Sequence, residues 1–291
     1  MKKLLSAALA VCLLVSLTPA LAAQSGQERA VIGANLTDEQ ITAVYSAFGV
    51  KRGDVSELKV TNEDERHYLD GLVDESLIGT RSISCVYIET LAEGEGLDVT
   101  TSNISWCTPQ MYVSALATAG ISDAKVIVAA PFEVSGTAAL TGVYMAYEDI
   151  TGQELDETAK LVSTQELTIT AELADELGGY DSVEIVNELK LILAETVNMT
   201  DEELIAEIKS IAAEYNVSLT DGQIEKLVSL CRSLEKLDSD ALKEKVESVQ
   251  QTLRSMADAK TKVAGFVDTV KNIFQAVADF FSRVFSGGSA A

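Results

Sequence analysis

Histidine is almost missing from this chain, and the shortage excludes more chemistry than any motif adds. His67 is the one imidazole in 291 residues, so a Ser-His-Asp or Cys-His arrangement would have to use it. It lies in the acidic phrase EDERHYLD and reads as a solvated surface residue. H-E-x-x-H cannot occur, and no two cysteines stand at C-x-x-C spacing. Asp238-Ser239-Asp240 begins like a calcium loop but runs into Leu242 and Lys243. The nucleophile elbow G-x-S-x-G, the GK[ST] ending of a phosphate loop and the G-x-G-x-x-G fingerprint are all absent. We therefore expect no metal and no cofactor.

Basic residues are scarce too. The 22 Lys and Arg stand against 45 Asp and Glu, for a net charge of −23. Such a field repels nucleic acid and anionic lipid. Trp106 is the sole tryptophan, whereas sugar clefts usually offer several stacking rings. There are three prolines and no low-complexity linker, so any domain boundary is soft.

Only one long apolar run exists, and it reads as a leader. Lys2 and Lys3 precede Leu4 to Leu17, and Ala20-Leu21-Ala22 is a small-x-small cleavage site. About 14 apolar residues are short for a span that needs roughly 20. Cys12 lies inside the run rather than after it, which argues against a lipoprotein. We expect a signal peptide over 1–22 and a secreted or extracytoplasmic protein of the cell envelope. Export permits disulfides without requiring them, and an odd three cysteines, Cys85, Cys107 and Cys231, would remain.

The remaining chain divides into an α/β part over 23–152, a helical part over 153–259 and an amphipathic C-terminal helix and tail over 260–291. In the first part, β-branched runs alternate with capped helical stretches, which predicts an α/β fold, with α+β as the alternative. Thr37 and Gln40 form a capping box, Ile41, Val44, Tyr45 and Phe48 recur at helical spacing, and Gly49 stops the helix. Glu57–Thr61 reads as a strand, and Asn62 with Glu65 as the cap of a second helix. Arg81–Thr90 and Leu97–Cys107 flank a Gly/Glu turn and predict a β-hairpin. Thr108-Pro109 opens a helix, and Lys125–Ala130 (KVIVAA) reads as a strand buried on both faces and broken by Pro131. That helix between two strands predicts a β-α-β crossover in a small mixed sheet.

Cys85 and Cys107 are symmetric about Gly96. A hairpin of that register would set their Cβ atoms about 4.5–5.5 Å apart, near bridging distance. A disulfide there is one expectation; two buried thiols are the other. Cys231 falls on the stripe of Ile224, Leu227 and Leu234 and should be an inert apolar thiol. Ser135 reads as the cap of the next helix, and with Gly136 and Thr137 offers free N–H groups as an anion cradle; close helix–sheet packing explains the same small residues. Glu89, Glu93 and Glu133 sit at loop ends and are the acids we would assign to a hydrolase, though 45 acidic residues offer many pairs.

Beyond Gln153 the pattern is helical, with capping boxes at Thr200/Glu203 and Thr220/Gln223 and a charged, solvent-facing helix from Ser239 to Ala259. The last segment stands out. Phe266, Val270, Phe274, Val277, Phe281 and Phe285 belong to a stripe of eleven large apolar residues between Val263 and Phe285. Such a stripe must face its own domain, a membrane surface, a protein partner or a second copy.

The phrases SCVYIE, TPQMYVSALATAG and VIVAAPFEVSGTAALTG resemble the core of a secreted Gram-positive bacterial family known as domain of unknown function 1002. The resemblance runs from about Val31 to the C-terminal region. It implies export and a shared fold, and it carries over no activity and no catalytic residue. The residues by themselves favour an exported, non-catalytic envelope-associated binding or interaction protein, with an extracytoplasmic hydrolase as the alternative. Protein recovered outside the cell should begin at Ala23 by N-terminal sequencing, and an intact Met1 there would refute the leader.

Overall fold

Five strands and the helices between them form a mixed sheet in the computed structural model, which describes residues 25–72, 75–177 and 179–256. The expected leader and the stripe from Phe266 to Phe285 lie outside these residues. The strands are β1 (Glu28–Gly33), β2 (Ser56–Val60), β3 (Cys85–Thr90), β4 (Leu97–Ile104) and β5 (Ala124–Val134), in the order β2-β1-β3-β5-β4. β1 pairs parallel with β2 and β4 parallel with β5, while β3 is antiparallel to both its neighbours. Four strands therefore share one direction and β3 alone opposes them. This is an α/β fold with a helical C-terminal region.

Alternation along each strand separates two cores. Ala30, Ile32, Cys85, Tyr87 and Ala129 face α1 (Asp38–Phe48), through its Ile41, Val44, Tyr45 and Phe48. Val31, Val86, Ile88, Val99, Val126 and Val128 face the opposite way, against α4 (Pro109–Thr118) and α5 (Ala139–Thr151). Gly142 lets α5 lie close, since a Cβ there would come within 3.2 Å of Val86. β4, α4 and β5 make the expected β-α-β unit.

The expected hairpin does not form. β5 inserts between β3 and β4, with Val86 opposite Val128 on one side and Thr101 opposite Val128 on the other. A hairpin of β3 with β4 would have left the KVIVAA run at an edge, where its apolar side chains and backbone donors lack partners. The Cys85–Cys107 disulfide falls with it. Cys85 belongs to the core facing α1 and Cys107 to the opposite core, and both are free and buried. Strands two places apart lie roughly 10 Å from each other, beyond the ~7 Å that a bridge tolerates. Burial pushes both thiols up to about 12 and Cys231 up to about 11, so all three act as small apolar groups.

Pro131 does not break β5, which runs on to Val134. β3 pairing stops at Ala129, so the missing N–H of Pro131 leaves no β3 acceptor unanswered, and β4 follows the bend through an irregularity at Asn103. Nor does Ser135 cap a helix. α5 begins at Ala139, with Ala138 in the cap position and no side-chain cap.

The helical region comprises α6 (Glu157–Leu177), α7 (Gly179–Leu191), α8 (Leu193–Thr196), α9 (Asp201–Glu214) and α10 (Asp221–Leu234). The capping boxes at Thr200/Glu203 and Thr220/Gln223 both form. The helical run at 239–256 is not simply solvent-facing. Its Leu242 and Val246 enter the helical core, and its Val249 and Leu253 enter the sheet core. These four apolar residues recur at steps of four and three, a narrow stripe among charges.

A charged cluster joins the two regions. Lys190 on α7 is fully buried, and its Nζ lies 2.9 Å from Glu166 Oε1 on α6. The ammonium also donates to Ser114 Oγ (2.8 Å) and Thr118 Oγ1 (3.3 Å) on α4. Both hydroxyls donate in turn to Glu166, at 2.6 and 2.5 Å. Burial holds the Lys190 ammonium below its ordinary value despite the pull of Glu166. Lys190→Met should therefore cost about 3–5 kcal/mol, because it strands a buried carboxylate, whereas adding Glu166→Leu should restore most of that loss. Urea denaturation of both variants checks this; equal loss in the two would refute the stranded charge as its cause.

Candidate functional site

Because β1, β2, β4 and β5 run in parallel, Gly33, Val60, Ile104 and Val134 end at one edge of the sheet. In open α/β sheets ligands gather beyond such carboxyl ends. α2 (Asn62–Leu69) starts here, directly after β2. Its capping box is one residue earlier than the sequence suggests: Thr61 Oγ1 accepts from Asp64 N, and Asp64 accepts from Thr61 N. That shift releases Glu65 from capping and, together with Leu69 one turn on, buries it.

Close backbone approach shapes the rest of this edge. A Cβ at Gly33 would lie 2.5 Å from the Ser82 carbonyl oxygen, so only glycine lets the end of β1 meet the segment leading into β3. Gly136, with φ +97°, turns the chain after β5, and a Cβ there would strike Ile104 and the Tyr112 hydroxyl. Tyr112 donates to the Gly136 carbonyl at 2.6 Å and pins the turn.

Beside these approaches lies a partly open cavity of about 260 Å³. Its polar wall is Glu65, Arg81, Ser84, Ser135 and Thr137, and its apolar wall is Ile78, Ile83, Val134 and Ala138. The Glu65 carboxyl accepts from Ser82 Oγ at 2.5 Å and from Asn62 Nδ2 at 3.4 Å. Burial, with Asp64 adding a smaller push, raises it to about 7. Arg81 is exposed and donates from Nη2 to the Asn35 carbonyl at 2.9 Å. Its neighbour Arg66 turns away to Asp70, Glu75 and the Gly79 carbonyl, clamping α2 to α3 (Glu75–Ile78).

A larger space of about 510 Å³ lies between the end of α4, the segment 154–159 and the segment 236–245. Three of its polar groups already serve the fold: Asp156 and Asp238 accept from helix-start N–H groups, and Lys245 donates to Ser122. It is a groove between layers and a weaker candidate.

Of the residues singled out from sequence, Ser135 and Thr137 line the cavity and Gly136 shapes its turn. Glu133 is exposed near the same edge. Glu89 is at the other end of the sheet, opposite Lys125, because β3 runs against β5. Eight residues of strand separate Lys125 from Glu133, roughly 25 Å, and Glu93 follows Glu89 on that far side. The three acids do not converge. The cavity wall carries one carboxyl, not the pair that glycoside hydrolysis uses. His67 is exposed on α2, its Nε2 2.8 Å from Glu157. Among the described residues no His, Cys, Asp and Glu cluster suits a metal ion. Glu65, Arg81 and Ser84 escaped the sequence reading. The available signal was the spacing of Glu65 and Leu69, which puts the acid on the apolar stripe of α2.

Comparison with known proteins adds kinship. The family model described as a protein of unknown function (DUF1002) matches residues 32–256, a span that takes in the whole cavity wall. The chain is 35% identical over 292 residues to the uncharacterized protein YpuA of Bacillus subtilis (strain 168), covering 98% of each. No solved structure matches.

The cavity leaves a mark on stability. Glu65 has an ordinary value of 4.5 and is raised to about 7 in the fold, so between those pH values the folded protein keeps a proton that the unfolded chain has released. Stability contributed by protonated Glu65 is complete below about pH 4.5 and falls as pH rises towards 7, by about 3 kcal/mol in all. Glu65→Gln removes that slope. Denaturation at pH 5 and pH 7.5 should show wild type losing more stability than the variant, and parallel losses would contradict the assignment.

Proposed function

The chain belongs to the DUF1002 family, and from that premise we propose an exported, non-catalytic binding protein of the cell envelope that captures a small polar molecule at the carboxyl edge of its sheet. The observation that carries the reading is Glu65: a buried carboxyl that lines a cavity and has only neutral donors as partners among the described residues. A carboxyl held for stability alone would be paired or absent, since burying it costs free energy. Its position beyond parallel strand ends supports a ligand role. A single carboxyl in the cavity wall, with no imidazole or second acid lining it, favours binding over hydrolysis.

Export rests on the leader sequence over 1–22. Envelope association rests on the apolar stripe through Phe266, Phe274 and Phe281, whose four basic and two acidic residues from Lys260 to Phe285 make it locally positive in an acidic chain. Through it the protein would reach a membrane surface, a protein partner or a second copy.

Thermal denaturation against a panel of sugars, amino acids and small organic acids tests the binding reading. At about a hundred times its Kd, a true ligand stabilises by about 2.7 kcal/mol, which in a chain of this size raises Tm by roughly 5–10 °C. Ala138→Trp, which fills the cavity, should abolish the shift. A panel without effect on wild type, or a shift untouched by Ala138→Trp, would defeat the proposal.

A further inference from the structure

Glu65, a carboxyl that becomes negative when it releases its proton, and the cationic Arg81 line the same cavity, and neither has an ion-pair partner among the described residues. Arg66, on the same helix as Glu65, takes the nearby Asp70 and Glu75 instead. A guanidinium and a carboxyl are thus left over around one space. A purely cationic guest would satisfy Glu65 but be repelled by Arg81, and a purely anionic guest would meet the reverse. A molecule carrying both charges a few bonds apart answers both at once. Ser135 and Thr137 place hydroxyls in the same lining, while Ile78, Ile83 and Val134 give an aliphatic surface. At about 260 Å³ the space is smaller than the roughly 300–1,000 Å³ of drug-sized sites, which limits the guest to about the size of one amino acid.

We propose that the cavity takes a small zwitterion, an α-amino acid with an aliphatic side chain: its ammonium on Glu65, its carboxylate on Arg81 with the hydroxyls, and its side chain on the isoleucines. This rests on reading the cavity as a ligand site and specifies what enters it.

Calorimetric titration of the full-length mature protein with three probes tests it: L-leucine, isoamylamine, which lacks the carboxylate, and 4-methylpentanoate, which lacks the amine. Leucine should bind at least tenfold more tightly than either half. Glu65→Gln should weaken leucine and isoamylamine at least tenfold and leave 4-methylpentanoate unchanged, with Arg81→Gln giving the converse. The wild-type series needs no variant, so a variant that fails to fold does not spoil the result. Either half matching leucine, or a neutral or singly charged compound binding in the cavity while leucine does not, overturns the zwitterion and leaves the binding protein standing. Silence from every probe and from the whole metabolite panel overturns both.

Discussion

A lysine with no surface in solvent keeps its charge only if the fold answers it, and the fold answers Lys190 on α7 from two other helices at once. Glu166 on α6 supplies the opposite charge, and Ser114 and Thr118 on α4 supply the remaining oxygens. α4 is also the crossover between β4 and β5. Whatever fixes α4 against α6 and α7 therefore fixes the helical layer against the sheet. A buried pair of this kind contributes little net stability compared with apolar packing, but it tolerates only one register, because any slip strands two charges. The apolar contacts around it, Leu167, Ala171 and Val183 against the sheet core, could slide; the pair could not.

From that anchoring follows the shape of the carboxyl edge. With one face of the sheet covered by α4 and α5, α6 packed behind α4, and the other face covered by α1, the strand ends are where side chains can surround open space. Two glycines bring the backbone close there, Gly33 against Ser82 and Gly136 against Ile104 and Tyr112. The cavity at this edge holds a carboxyl and a guanidinium with no ion-pair partner among the described residues. Arg66, Arg232 and Lys160 each pair with two acids. Glu65 and Arg81 are marked instead by lining one space without pairing to each other.

Much of the local structure was legible in the sequence because it depends on neighbours a few residues away. The Thr37, Thr200 and Thr220 caps, the Gly49 stop and the Thr108-Pro109 start are short-range hydrogen-bonding and dihedral effects, and each occurs as read. The Asn62–Glu65 cap failed by one residue because Thr61 and Asn62 are both competent caps, and a local rule does not rank them. Ser135 failed because the chain after β5 is held by Tyr112 and Ile104, residues far back in the sequence. Of the candidate site, Ser135, Gly136 and Thr137 were visible as a small-residue run. Glu65 was one acid among many and Arg81 one base beside a strand; nothing near either says they share a cavity.

By itself the sequence determined the α/β class, the β-α-β unit, most of the caps and the inert environment of Cys231, all of which follow from periodicity and from groups within a turn or two. Only the tertiary structure decided that β5 lies between β3 and β4, that Cys85 and Cys107 face opposite cores, and that Glu65 and Arg81 meet around one space. Strand order is a competition among long-range pairings that all satisfy the same local pattern. It is won by the arrangement that buries KVIVAA on both faces and both edges, and no window of neighbouring residues contains that comparison.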